Sequence, residues 1–349
     1  MIMLTSSIQE NKELKPFNTF GIAATARYFA AFSTVEQLKE LLIYSHQAGQ
    51  QNLLVLGGGS NMLFTQNYNG LVIKNELKGI ELVKEDANHY YIKAWGGENW
   101  HRFVQYCIQH NYAGLENLSL IPGCVGASPM QNIGAYGVEI KDVCESLEAL
   151  HIESQSVVTF HHTECNFGYR ESVFKNKYKG QFIILNVTYR LNKQPVYHTS
   201  YGAIEQELAA MGSQQLNIAA IAQAVINIRS SKLPNPAEVG NAGSFFKNPT
   251  IPQTQFRALQ QQHATIPHYA VAPDSNGQAW EKIPAAWLIE QCGWKGYRKG
   301  DAGCHSKQPL VLVNYANATG NEIFQLSEEI ISSVNQQFGI TLEREVNII

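Results

Sequence analysis

Charge is scarce in this chain of 349 residues: Asp, Glu, Lys and Arg together make up 16%. That excludes acidic tails and long charge-laced coiled coils. Lys and Arg number 26 against 29 Asp and Glu, a formal net charge of −3. Such a balance draws in no nucleic acid by itself. No apolar run approaches the ~20 residues of a membrane span, so membrane insertion is not expected. Residues 1–15 hold no basic stretch followed by an apolar one, so no signal peptide is read and the cytoplasm is the expected compartment. The six cysteines, Cys107, Cys124, Cys144, Cys165, Cys292 and Cys304, form no C-x-x-C pair. They read as reduced core residues, and a catalytic thiol lacks a marked activating partner. The histidines show no ligand spacing, so no metal site is expected. Internal repeats and low-complexity tracts are missing too.

Hydrophobic residues are 44% of the chain, enough to bury proper cores, and the length suggests two or three domains. A capping box at Thr34-Val35-Glu36-Gln37 predicts a helix with Val35, Leu38, Leu41 and Leu42 on its apolar stripe, stopped by Gly49. A buried strand at 53–56 and a helix over 98–111 follow. Strands are expected at 147–152, 157–160 and 182–191. Ile218, Ile221, Ala222, Val225 and Ile226 form a helical face. Residues 230–236, Ser-Ser-Lys-Leu-Pro-Asn-Pro, read as a stiff link and a domain boundary. Beyond it come a helix with Pro284 at its first position, a strand at 310–314, a helix capped by Thr319 and Glu322, and a closing strand at 340–349. Strands and helices without sustained βαβ alternation indicate an α+β or α/β fold.

Two glycine-rich stretches stand out. Gly57-Gly58-Gly59-Ser60-Asn61 follows a strand, where bare backbone can approach an anion. It is neither a Rossmann fingerprint nor a P-loop. A tight turn without ligand and a diphosphate cradle are both open readings. The second stretch, Ile121-Pro122-Gly123-Cys124-Val125-Gly126-Ala127, continues into Asn132-Ile133-Gly134-Ala135-Tyr136-Gly137. A long, uncharged, glycine-dense segment in a compact domain is usually functional. The pair suits an elongated ligand with a diphosphate and a flat aromatic end, and an unliganded Ω-loop is the plainer alternative.

Chemistry-bearing side chains lie elsewhere. Ser244, between Gly243 and Phe245-Phe246, is either a nucleophile or acid, or a turn serine; no G-x-S-x-G elbow surrounds it. Arg170, in Phe167-Gly168-Tyr169-Arg170, suits a carboxylate by two-pronged contact, with an ordinary surface arginine as the alternative. By alternation Glu343 and Glu345 share one face of the closing strand.

Taken together, these motifs resemble the UDP-N-acetylenolpyruvoylglucosamine reductase family. The resemblance runs from Phe17 to Val346 and rests on Asn18-Thr19-Phe20-Gly21, both glycine stretches, Phe167-Gly168-Tyr169-Arg170, Asn241 to Pro249, and Leu342 to Val346. It implies an α+β fold: a two-subdomain FAD-binding part of the vanillyl-alcohol-oxidase type plus a smaller α+β substrate-binding domain. The expected domains are 1–69, 70–212 and 213–349, with the last strand able to return to the FAD-binding part. Non-covalent FAD would lie on Gly57, Gly58, Gly59, Ser60, Asn61, Pro122, Gly123, Gly126, Ala127, Asn132, Gly134 and Gly137. Ser244, Arg170 and Glu345 correspond to the catalytic residues, as proton donor, carboxylate-binding activator and supporting carboxylate. Tyr136, Tyr201, Lys232, Lys247, Asn248 and Gln308 correspond to substrate contacts. Tyr201-Gly202 resembles the tyrosine loop of one subgroup. Asn347 departs from the family, which commonly has arginine there.

The implied reaction is NADPH-dependent reduction of UDP-N-acetylglucosamine enolpyruvate to UDP-N-acetylmuramate through FAD, in a monomer making peptidoglycan precursors. An oxygen-using FAD oxidase on the same fold and a flavin-binding sensor are the competing readings.

Overall fold

The computed structural model describes residues 8–49, 52–213, 215–274 and 276–349. The chain divides into two units: residues 1–12, 25–59 and 68–231 form the first, and residues 13–24, 60–67 and 232–349 the second.

In the first unit, a four-stranded sheet runs in the order Gln9–Glu13, Thr25–Phe32, Tyr68–Asn75, Leu53–Leu56. The last three are mutually parallel, Tyr68–Asn75 lying between the other two. Helix Val35–Gln47 buries Leu38, Leu41 and Leu42 in a core with Phe32, Leu71 and Ile73. Thr34 caps it by accepting from the Gln37 amide at 3.1 Å. Only half of the expected capping box forms, because the Gln37 side chain accepts from Ser33 N rather than from the cap residue. A second, antiparallel sheet runs in the order Val157–His161, Cys144–His151, Phe182–Asn192, His89–Trp95, Ile80–Glu85. Its core includes Trp100, Phe103, Val104 and Cys107 of helix Trp100–Gln109. Burial at 0–1% exposure of these four side chains contributes roughly 1.5–3 kcal/mol each for the larger ones. Helices Ile204–Ala210 and Ile218–Lys232 form a smaller cluster against Tyr136.

The second unit has an antiparallel sheet ordered Gly240–Ser244, Val311–Asn314, Ala302–Cys304, Arg298–Lys299, and a three-stranded one ordered Thr250–Pro252, Trp280–Lys282, Tyr269–Val271. Helix Gly320–Phe338 carries the full capping box at Thr319 and Glu322. A Cβ on Gly320 would run into the Phe64 carbonyl, so glycine is required at this helix start.

Four local expectations are corrected. Helix Ile218–Lys232 runs through Ser230, Ser231 and Lys232, so the stiff link is shorter than its composition suggests. On that helix Ile228 is buried at 4% exposure while Ile226 is half-buried, a shift of the stripe by helical geometry. Pro284 is the N-cap of Ala285–Gln291 rather than its first residue. The closing strand is only Asn347–Ile348, preceded by an isolated bridge from Phe246 to Arg344. The interruption fits the sequence: Glu343, Arg344 and Glu345 are three consecutive charged residues, and the Arg344 side chain turns to Ser327 and Glu328.

Candidate active site

The first unit brings the two glycine stretches together. A Cβ built on Gly58 would lie 2.8 Å from the Gly123 Cα, and one on Gly57 would touch Cys124. Gly126 packs the same way on Gly96, 3.1 Å from its Cα. Gly59 and Gly123 have φ of 61° and 127°, conformations that favour glycine. The Gly123 loop is fixed by Trp100 N, which donates to Gly123 O at 3.0 Å, and by Val125 N and Gly126 N, which donate to Glu98 O and Gly96 O. Side chains at these glycines would therefore fill the surface at which two backbone loops meet.

Downstream, Asn132 is fully buried and left-handed, with φ 46°. Its Nδ2 donates to Glu139 Oε2 and Gly168 O, and its Oδ1 accepts from Lys141 N. It knots three segments together. Arg170, also left-handed at φ 57°, donates from Nη2 to Gly134 O at 2.8 Å. A Cβ on Gly134 would come within 3.2 Å of Arg170 Nη1, so that glycine makes room for the guanidinium. Tyr136 has φ 51°, and burial pushes its phenol pKa up. Tyr201 packs over Gly137, and Gly202 faces the Tyr136 ring.

Residues that the sequence reading passed over lie here too. The Nε of Arg229 is buried without a hydrogen-bond partner. Burial pulls its pKa down, and Tyr136 is the neighbour that favours its charge. Its signal was available: 218, 222, 225, 229 and 232 follow one helical stripe, so a cation sits where the pattern calls for an apolar residue. His101, held down by burial and by Arg229, accepts through Nδ1 from Leu120 N. Asn117 Oδ1 and Ser119 Oγ are buried and unpartnered as well. Bare backbone at Gly58 and Gly123 fits a flat, diphosphate-bearing cofactor such as FAD.

In the second unit Ser244 ends strand Gly240–Ser244 and is exposed. Asn241 pairs with Val313 but Ser244 with Val311, so one extra residue bulges out between them. Gly243 takes up the bulge at φ 70°, and Asn241 Oδ1 accepts its amide at 3.0 Å. Bulges re-aim side chains. Here the bulge precedes Ser244, which is exposed, and Phe245 and Phe246 follow it at 0% and 1% exposure. The Glu345 amide donates to Phe245 O at 2.8 Å, which sets Glu345 on the segment beside Ser244. Leu342 and Val346 are buried, whereas Glu343 and Glu345 occupy the alternate positions. Lys247 is 7% exposed and pairs with Glu343 at 2.5 Å. Asn248 Oδ1 accepts the Ala285 amide, capping a helix, and Gln308 Oε1 accepts from Leu310 N. Asn61 donates to Glu345 O, and Asn347 donates from Nδ2 to Asn61 O at 2.8 Å. Asn347, where the family commonly has arginine, thus ties the chain end to Ser60-Asn61. Lys232 is exposed at the end of its helix.

The backbone cradle of the first unit suits the FAD of a flavin-dependent oxidoreductase. The FAD binding domain profile matches residues 26–159. The profile of the C-terminal domain of UDP-N-acetylenolpyruvoylglucosamine reductase matches residues 235–349. The protein of that name from Amoebophilus asiaticus is 53% identical over 342 residues, 98% of this chain and 99% of its own. That from Flavobacterium johnsoniae is 49% identical over 343 residues, again 98% and 99%. The chain belongs to the UDP-N-acetylenolpyruvoylglucosamine reductase family. The crystal structure of the Thermus caldophilus enzyme shares the fold, with a TM-score of 0.66 over 97% of both chains at 23% identity. The α+β FAD-binding fold implied by the motifs is therefore present. No helix among the described residues is long and apolar enough to cross a membrane.

Proposed function

We propose that the chain reduces UDP-N-acetylglucosamine enolpyruvate to UDP-N-acetylmuramate, with NADPH as the hydride donor, as a cytoplasmic monomer in peptidoglycan precursor synthesis. Bound FAD supplies the hydride chemistry. Gly57, Gly58, Gly59, Gly123 and Gly126 give it bare backbone to lie on. The chain's own side chains do the rest. Hydride addition at C3 of an enol ether drives negative charge toward the carboxylate. Arg170 holds that carboxylate, and a fixed cation stabilises the developing charge. The Ser244 hydroxyl gives the proton to C2 on one face. Glu345 supports that transfer as a neighbouring carboxylate. Tyr201 and Lys232 hold the uridine diphosphate, with Tyr136, Lys247, Asn248 and Gln308 as further substrate contacts.

The observation that carries this reading is the bulge at Gly243. It exposes Ser244 above two buried phenylalanines, on a segment hydrogen-bonded to Glu345. A turn serine needs no such mounting. Ser244→Ala is expected to spare FAD reduction by NADPH and to slow reoxidation by the enolpyruvyl substrate roughly 10²–10⁴-fold. Anaerobic stopped-flow of each half-reaction checks it. Reoxidation at saturating substrate within a few-fold of the unaltered enzyme removes Ser244 from the proton-donor role.

A further inference from the structure

Asn117 belongs to none of the motifs above. It lies in the short 3₁₀ turn Glu116–Leu118 and is 1% exposed. Its side chain does nothing for its own turn. Nδ2 donates to Tyr136 O at 2.9 Å and to His198 O at 2.8 Å. One bond therefore holds the 134–137 loop, and the other holds the connector three residues before Tyr201.

Residues 194–199 form no helix or strand, and Val196 and Tyr201 are 59% and 51% exposed. Thr199 Oγ1 donates to Glu205 Oε1 at 3.1 Å. Tyr201 meets Gly137, and Gly202 meets the Tyr136 ring, so the two segments that Asn117 holds also face each other. Tyr136 is left-handed, which costs about 1 kcal/mol without support. A buried donor bridging two carbonyls supplies that support and aligns both tyrosines. Glu116, 2% exposed, is anchored by Gly114 N at 2.7 Å and feels the His198 imidazole, so the turn itself is held rigidly.

We propose that Asn117 is a positioning residue that latches the Tyr201 connector to the Tyr136 loop, and so sets affinity for a uridine diphosphate ligand without touching it. This rests on reading Tyr201 as a nucleotide contact.

The test uses full-length FAD-loaded enzyme and UDP as the probe. Asn117→Leu keeps the branched shape, though bulkier, and removes the donor; Asn117→Ser is a second, smaller variant. Either is expected to weaken UDP binding roughly ten- to hundredfold, the worth of two lost hydrogen bonds. FAD content and the rate of flavin reduction by NADPH should stay within a few-fold of the unaltered enzyme. Amide hydrogen exchange over 197–202 should quicken about tenfold or more. In a Tyr201→Ala background, the same substitution should add clearly less than it does in the unaltered enzyme, because only Tyr136 is then left to position. Unchanged exchange over 197–202, unchanged UDP affinity, or a full additive loss in the Tyr201→Ala background overturns the proposal. So does failure of both variants to retain FAD, which would make Asn117 a folding residue. If Tyr201→Ala alone leaves UDP binding intact while exchange still quickens, the reading of Tyr201 fails and the latch stands.

Discussion

Gly58 and Ser244 matter for opposite reasons. In the first unit the site is shaped by what is missing: without side chains, Gly58 and Gly123 bring two backbone loops together. In the second, the proposed proton donor is an exposed serine that follows a strand bulge and leads into buried rings. Backbone surfaces suit a cofactor that stays bound, because they need no ordering at binding. Mounted side chains suit a reactant that must receive a proton at one atom. The consequence is that damage to the glycine cradle should appear in FAD retention, and damage at Ser244 in one half-reaction.

Gly58→Val attacks the first unit most sharply. The atom its Cβ would meet is backbone, at 2.8 Å, and backbone cannot swing aside. FAD affinity should fall roughly ten- to hundredfold or more, the range of a core overpacking. Flavin absorbance of the purified protein reads this directly. Full FAD content in Gly58→Val would erase the contrast between the units.

Arg170→Lys should come next. An ammonium cannot reproduce the planar fork, nor keep both the bond to Gly134 O and a two-pronged carboxylate contact. We expect turnover with the enolpyruvyl substrate to fall about tenfold or more, with FAD content unchanged. Steady-state kinetics beside an absorbance spectrum decide it. Lost FAD would move Arg170 from substrate to cofactor.

The smallest effect belongs to Asn347→Ala. Its bond to Asn61 O is exposed, so about 0.5–1 kcal/mol of stability should be lost and half-reactions should barely change. Denaturant unfolding measures the first, stopped-flow the second. A large kinetic defect would show that this position still carries the work of the family's arginine.

The glycine stretches were legible in the sequence because a close approach of backbone demands that residue type, whereas Ser244 and Arg170 stood out only through the family resemblance. Helices Val35–Gln47 and Gly320–Phe338 were legible too, each announced by a threonine cap. Other features depend on pairing across the chain. The sequence pattern spreads the last strand over 340–349, but the strand itself is Asn347–Ile348, paired with Met62–Leu63, and Arg344 makes an isolated bridge to Phe246. The bulge at Ser244 appears only when its register against Val311 is known. Asn117 was invisible because its two acceptors are backbone carbonyls 19 and 81 residues away. Arg229 could have been found as a cation on an apolar stripe.

The most direct test of the whole account is an anaerobic two-step experiment on the unaltered enzyme. The bound flavin is first bleached with NADPH, and UDP-N-acetylglucosamine enolpyruvate is then added without oxygen. The account predicts that the oxidised flavin spectrum returns, with one UDP-N-acetylmuramate formed per flavin. A flavin that stays bleached until oxygen is admitted would contradict it and point to an oxidase.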